Sequence, residues 1–219
     1  MDENDPPTWD GVTLRASLPD WEVEQRDRLA DAAREGNWPA VFRILQKRPG
    51  WVNSVRPGGT SGSTPLHQAA WHGAGVEVVH RLVALGAWRT LRTTAGEQAV
   101  DIAYRKGHGH LVAALTPVIR HPVPADLLAV LQTRLHQLIR ERAGRLVDEQ
   151  RLRLPQLAPL TEQHTPVGWF PVPGMTGGFH YELHHDRLMV ESWSRVACGS
   201  GQRHLIDGAG TQLVEEGFV

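Results

Sequence analysis

Apolar positions recur at helical spacing through the first two thirds of the chain and at strand spacing near its end. Val76, Val79, Leu82 and Val83 lie three and four residues apart, which puts them on one face of a helix. Leu128, Leu131, Leu135 and Leu138 repeat that spacing and predict a helix over 125–147, with Arg134, Arg140, Arg142 and Arg145 on its solvated side. From Leu154 to Gly178 five prolines and four glycines interrupt any period. That stretch reads as loop, held against a packed surface because Trp169, Phe170, Val172 and Met175 are too apolar for a free linker. The period then falls to two. Phe179, Tyr181 and Leu183 share one face of a strand, with His180 and Glu182 on the other, and His184–Arg187 makes a turn into a return strand from Leu188. Arg203–Ile206 and Gln212–Glu216 flank a turn at Asp207–Gly210, so a small antiparallel sheet of about four strands is expected.

Three segments of the first half align with one another: Leu29–Asn53, Ser63–Ala87 and Glu97–Ile119. Each sets an alanine four residues before a glycine, in the pairs Ala32 and Gly36, Ala69 and Gly73, and Ala103 and Gly107. The glycines are 37 and 34 residues apart, close to the period of about 33 of one class of stacked helix pair. Small alanines let neighbouring helices approach, and a glycine supplies the left-handed residue that ends a helix.

The second segment, with Thr64, Pro65, Leu66, His67, Ala69, Ala70, Gly73, Glu77, Val78, Val79, Leu82, Gly86 and Ala87, resembles the ankyrin repeat. It departs from that pattern by an extra residue near Ala74 and Gly75. In the third segment Gln98, Ala99, Val100 and Asp101 follow the Thr-Pro-Leu-His box only loosely. The resemblance implies a stack of helix pairs whose inner face binds a protein, a binding module more than an enzyme. The whole chain is then expected to be α+β: an N-terminal extension over 1–24, ankyrin-like repeats over 25–120, a capping helix over 121–150, and a loop-rich antiparallel β region over 151–219.

In that register the positions after the paired alanines face the partner: Arg34 and Glu35, Trp71 and His72, Arg105 and Lys106. Finger positions Ser63 and Glu97 join them. Trp beside Arg is the composition of an interface anchor, with packing on the next repeat as the alternative for Trp71. His67 is read as a hydrogen-bonding residue of the turn.

Composition narrows the partner. The formal net charge is -1, which supplies no global field for nucleic acid or an anionic membrane. The single cysteine, Cys198, forms no internal disulfide and fits a reducing compartment. The first twenty residues lack the basic start and apolar core of a signal peptide, and no apolar run reaches the roughly 20 residues that span a bilayer. A cytoplasmic protein is expected, and arginine outnumbering lysine 21 to 2 suggests a GC-rich bacterial genome.

One constellation invites chemistry. If Leu183 pairs with Leu188, His180 lies across from Glu191, on a face shared with Glu182, Trp193 and Arg195. With His204 these residues are the alternative catalytic or small-ligand set, as an acid–base pair or, through His180, Glu182 and His184, a metal site. Solvent-facing strand polarity explains the same alternation, and no cofactor or metal is assigned. Gly199, Ser200 and Gly201 read as turn rather than phosphate loop, since a strand and not a helix follows.

Overall fold

The computed structural model describes residues 6–194 and 201–217. Within them the chain is α+β: seven α-helices precede a five-stranded antiparallel sheet. It divides into two compact units, Val12–Val118 and a second made of Met1–Gly11 with Ile119–Val219.

The first unit consists of helix pairs. Helices α1 (Asp20–Arg34) and α2 (Trp38–Lys47) form the first pair, α3 (Pro65–His72) and α4 (Val76–Ala84) the second, and α5 (Ala99–Lys106) with the short α6 (Val112–Leu115) the third. Helix α3 packs between α1 and α5. The alanines that recur in the sequence make this possible: Ala33, Ala69, Ala70 and Ala103 are buried where the helices meet, and Leu29, Leu45, Leu66, Leu82, Leu111 and Leu115 fill the spaces beside them. The expected glycines end the first helices, with Gly36, Gly73 and Gly107 all at positive φ.

The pairs are also joined by polar contacts. His67 is buried; its Nδ1 accepts from the Thr64 backbone N–H at 3.2 Å, and its Nε2 donates to the Leu91 carbonyl at 3.0 Å. In the third pair Asp101 takes the equivalent place, its carboxylate accepting from the Gln98 N–H at 2.8 Å. The loose match of residues 98–101 to the box therefore still closes the first turn of α5, because any acceptor at that position satisfies an orphan donor.

In the second unit the sheet is a meander of β1 (Val167–Val172), β2 (Gly177–His184), β3 (Arg187–Ser194), β4 (Gln202–Ile206) and β5 (Thr211–Glu216) in sequence order. Leu183 pairs with Leu188 and His180 with Glu191, the register expected from the alternation. Strand β1 is the element missed in the stretch read as loop. Its prolines hid the alternation of buried Gly168, Phe170 and Val172, and Pro171 is tolerated because β1 lies at the sheet's edge. Pro7 and Trp9 run beside it: Trp169 N–H donates to the Pro7 carbonyl at 3.0 Å, and Trp9 N–H to the Trp169 carbonyl at 2.7 Å.

The long helix α7 (Ala125–Glu149) packs on β1, β3 and β4. Its Leu131, Leu135, Leu138, Ile139 and Val147 are buried, as are Phe170, Phe179, Tyr181, Leu188 and Val190 on the sheet. The leucine stripe that read as a cover for the repeats thus groups with the sheet unit. Among the described residues no helix is long and apolar enough to cross a membrane.

Candidate functional site

In the first unit the C-terminal ends of α1, α3 and α5 bring the expected partner-facing residues into one row. Trp71 is 45% exposed although large apolar side chains usually bury. The Lys106 Nζ lies 3.4 Å from the centroid of its ring, and the Arg105 guanidinium carbon 5.5 Å from it. Arg105 is fixed in turn by Glu97, which accepts from its Nε at 2.8 Å and its second terminal nitrogen at 3.1 Å. An ion pair on the finger therefore orients a cation over the indole. Positive charge beside an open aromatic face is the composition of an interface anchor.

The other expected members differ in role. His72 is exposed, yet its Nε2 donates to the Arg34 carbonyl at 2.8 Å, stitching α3 to the end of α1. His108 repeats the stitch one pair later, to the Trp71 carbonyl at 3.2 Å. Arg34 is tied to Asp31 at 3.0 Å, Glu35 is exposed, and Ser63 is half-buried with its N–H on the Ser61 hydroxyl at 3.2 Å. A small cavity of about 110 Å³ beside them is lined by Arg34, Arg56, Ser63 and Gln68. Arg56, on its wall, pairs with Asp27 at 3.1 Å and also reaches Asp31.

The C-terminal constellation is only partly assembled. His180, Glu182 and Glu191 share the outward face of the sheet, as expected. Glu191, however, is bound by the Arg203 Nε at 2.7 Å, and Arg203 also reaches Glu215, so the row continues as an ion-pair ladder across β3, β4 and β5. His180 and Glu191 are cross-strand neighbours without a hydrogen bond between them. Glu182 instead meets His184 at 3.2 Å. No cluster of three metal-ligating side chains occurs among the described residues. Beside His180, Trp169 and Trp193 stack with centroids 4.8 Å apart, above Gly178, where any Cβ would lie 2.8 Å from the Trp169 ring. Arg195, Cys198, Gly199, Ser200 and Phe218 lie outside the described residues.

His204 departs from the expected set. It pairs with Val190 and faces the helix side of the sheet, opposite His180. There it lines a cavity of about 520 Å³ between α7 and the β4–β5 hairpin, with Arg134, Gln137, Glu141 and Thr211. Its Nδ1 is buried without a hydrogen-bond partner. Burial, reinforced by the Arg142 cation, holds its pKa below the ordinary value. The face of His204 is set by its pairing with the buried Val190, which alternation within β4 alone does not give.

No family model matches the chain, and no curated protein matches it. Among solved structures 38 chains match it. One belongs to the complex of the predatory endopeptidase Bd0816 from Bdellovibrio bacteriovorus with the immunity protein Bd3460. It is similar to this chain at 20% sequence identity and a TM-score of 0.33, over 61% of this chain and 71% of that one.

Proposed function

We propose that the chain is a cytoplasmic protein-binding module whose ankyrin-like first unit captures a partner protein through the row formed by Trp71, Arg105, Lys106 and Glu97. One observation carries the reading: a half-exposed tryptophan has two cations against its ring, one of them paired with a carboxylate. A side chain held this way loses little freedom on binding, which favours affinity. A partner that lays an acidic or carbonyl-rich edge over the indole would satisfy both cations. The test is capture from native lysate, identification of the bound protein by mass spectrometry, and titration of that protein against Trp71→Ala and Arg105→Ala. Each substitution is expected to weaken binding by about tenfold or more, the range of an interface anchor. Unchanged affinity together with a large fall in Tm would reverse the assignment.

A second reading, a small-ligand site in the C-terminal unit, is favoured by the cavity that His204 lines. It requires a small molecule that raises the Tm of the wild type and not of His204→Gln.

A further inference from the structure

Between α1 and α2, away from the Trp71 row in sequence and on different helix faces, runs a second groove. Trp21 and Arg28 of α1 face Arg43, Ile44 and Lys47 of α2, with Arg48 at its C-cap, across about 680 Å³. Four lining side chains are cationic and none is acidic. Arg28 has a carboxylate partner in Glu24. Arg43 and Lys47 make no ion pair among the described residues, and Arg48 sits over aromatic rings instead, its guanidinium carbon 5.1 Å from the Trp21 ring and 5.7 Å from the Trp51 ring. Trp21 is 50% exposed.

Both features are costly in isolation. Like charges gathered on one groove repel one another, and a chain of net charge -1 does not impose such a cluster by composition. An exposed indole beside Ile44 and Ala40 leaves apolar surface in water, while Val41, Phe42 and Leu45 of the same helix are spent in the core. An occupant that brings carboxylates and an apolar side chain together relieves both.

We propose that this groove docks an acidic segment of a partner protein, with carboxylates on Arg43, Lys47 and Arg48 and an apolar side chain against Trp21 and Ile44. The apolar floor favours such a segment over nucleic acid, whose backbone affinity depends on the number of cations engaged and would be served by three here only weakly.

The test uses the full chain and three fluorescein-labelled probes in an anisotropy titration: a 15-residue glutamate peptide with leucine at helical spacing, polyglutamate of the same length, and an oligothymidylate of matched charge. The leucine-containing peptide is expected to bind most tightly and to weaken with added salt. Trp21→Ala should reduce its affinity to the polyglutamate level. Arg43→Glu with Lys47→Glu should lower it by about tenfold or more, since reversing rim charges acts directly on complementarity. Arg43→Gln with Lys47→Gln, checked by Tm, gives an intermediate loss in a variant that keeps the fold. Trp71→Ala leaves this binding unchanged. Absence of binding, binding indifferent to the groove variants, or tighter binding of the oligothymidylate each overturns the proposal.

Discussion

Lys106 and Trp71 belong to successive helix pairs, and the ammonium of one sits 3.4 Å from the ring centroid of the other. The contact spans two repeats, so it reports the stacking itself. Lys106→Met keeps the stem and removes the charge. At an exposed site a cation–π contact contributes about 0.5–1 kcal/mol. Partner affinity is expected to fall a few-fold with Tm nearly unchanged, and Lys106→Glu to fall further. Titration of the captured partner against both variants reads the difference.

Gly73 and Gly107 end equivalent helices at φ +60° and +77°, but their surroundings differ. A Cβ at Gly73 would lie 2.5 Å from the His108 ring, whereas one at Gly107 meets open space. Gly107→Ala should therefore cost only the left-handed backbone penalty, about 1–2 kcal/mol. Gly73→Ala should cost more and loosen the His108 stitch to Trp71. Equal shifts in Tm for the two variants would refute the distinction.

His67→Ala removes the acceptor of one buried N–H and the donor to one buried carbonyl. Leaving buried polar groups unmatched costs about 1–3 kcal/mol each. A pronounced loss in denaturant midpoint is expected, and His67→Asp should recover the first contact only, as Asp101 makes it in the third pair.

The helix pairs were legible because small-residue spacing and glycine ends express backbone requirements that tertiary context does not override. Trp71, Arg105 and Lys106 followed from that register. His72 lies where that register puts it, but no spacing reveals that its ring reaches a carbonyl at position 34. Strand β1 was hidden by Pro166, Pro171 and Pro173, which suppress strand propensity where an edge position makes them harmless. The groove between α1 and α2 was invisible for another reason: Trp21 and Lys47 meet only through the packing angle of two helices.

Ser192 is fully buried in β3, and its hydroxyl has no hydrogen-bond partner. An unmatched buried hydroxyl is a cost without return. Ser192→Ala is expected to leave Tm unchanged or raise it, in contrast to most core substitutions. A clear drop in Tm would show that the hydroxyl is matched in solution.

His136 and His204 both titrate below the ordinary value of 6.5, chiefly because burial disfavours the charged ring. At His136 burial outweighs the hydrogen bond to the Pro155 carbonyl at 2.7 Å. Between the native and unfolded values the unfolded chain holds more protons, so their contribution to stability is complete above pH 6.5 and declines as pH falls below it. Melting curves from pH 8 to pH 5 should show that decline, and His204→Gln should flatten it. A Tm that rises on acidification contradicts the argument.

Trp9 is buried in the unit that closes only with strand β1 and Arg153, whose carbonyl accepts from the indole N–H at 2.7 Å. During synthesis, at about 5–20 residues per second, the helix pairs over 12–118 are complete several seconds before residue 169 exists. Pro7 and Trp9 must wait, exposed, while a whole unit folds behind them. A nascent chain paused after α6 should therefore show native helical signal with Trp9 still accessible to quencher, and a chaperone that holds the segment around Trp9 has a defined interval in which to act.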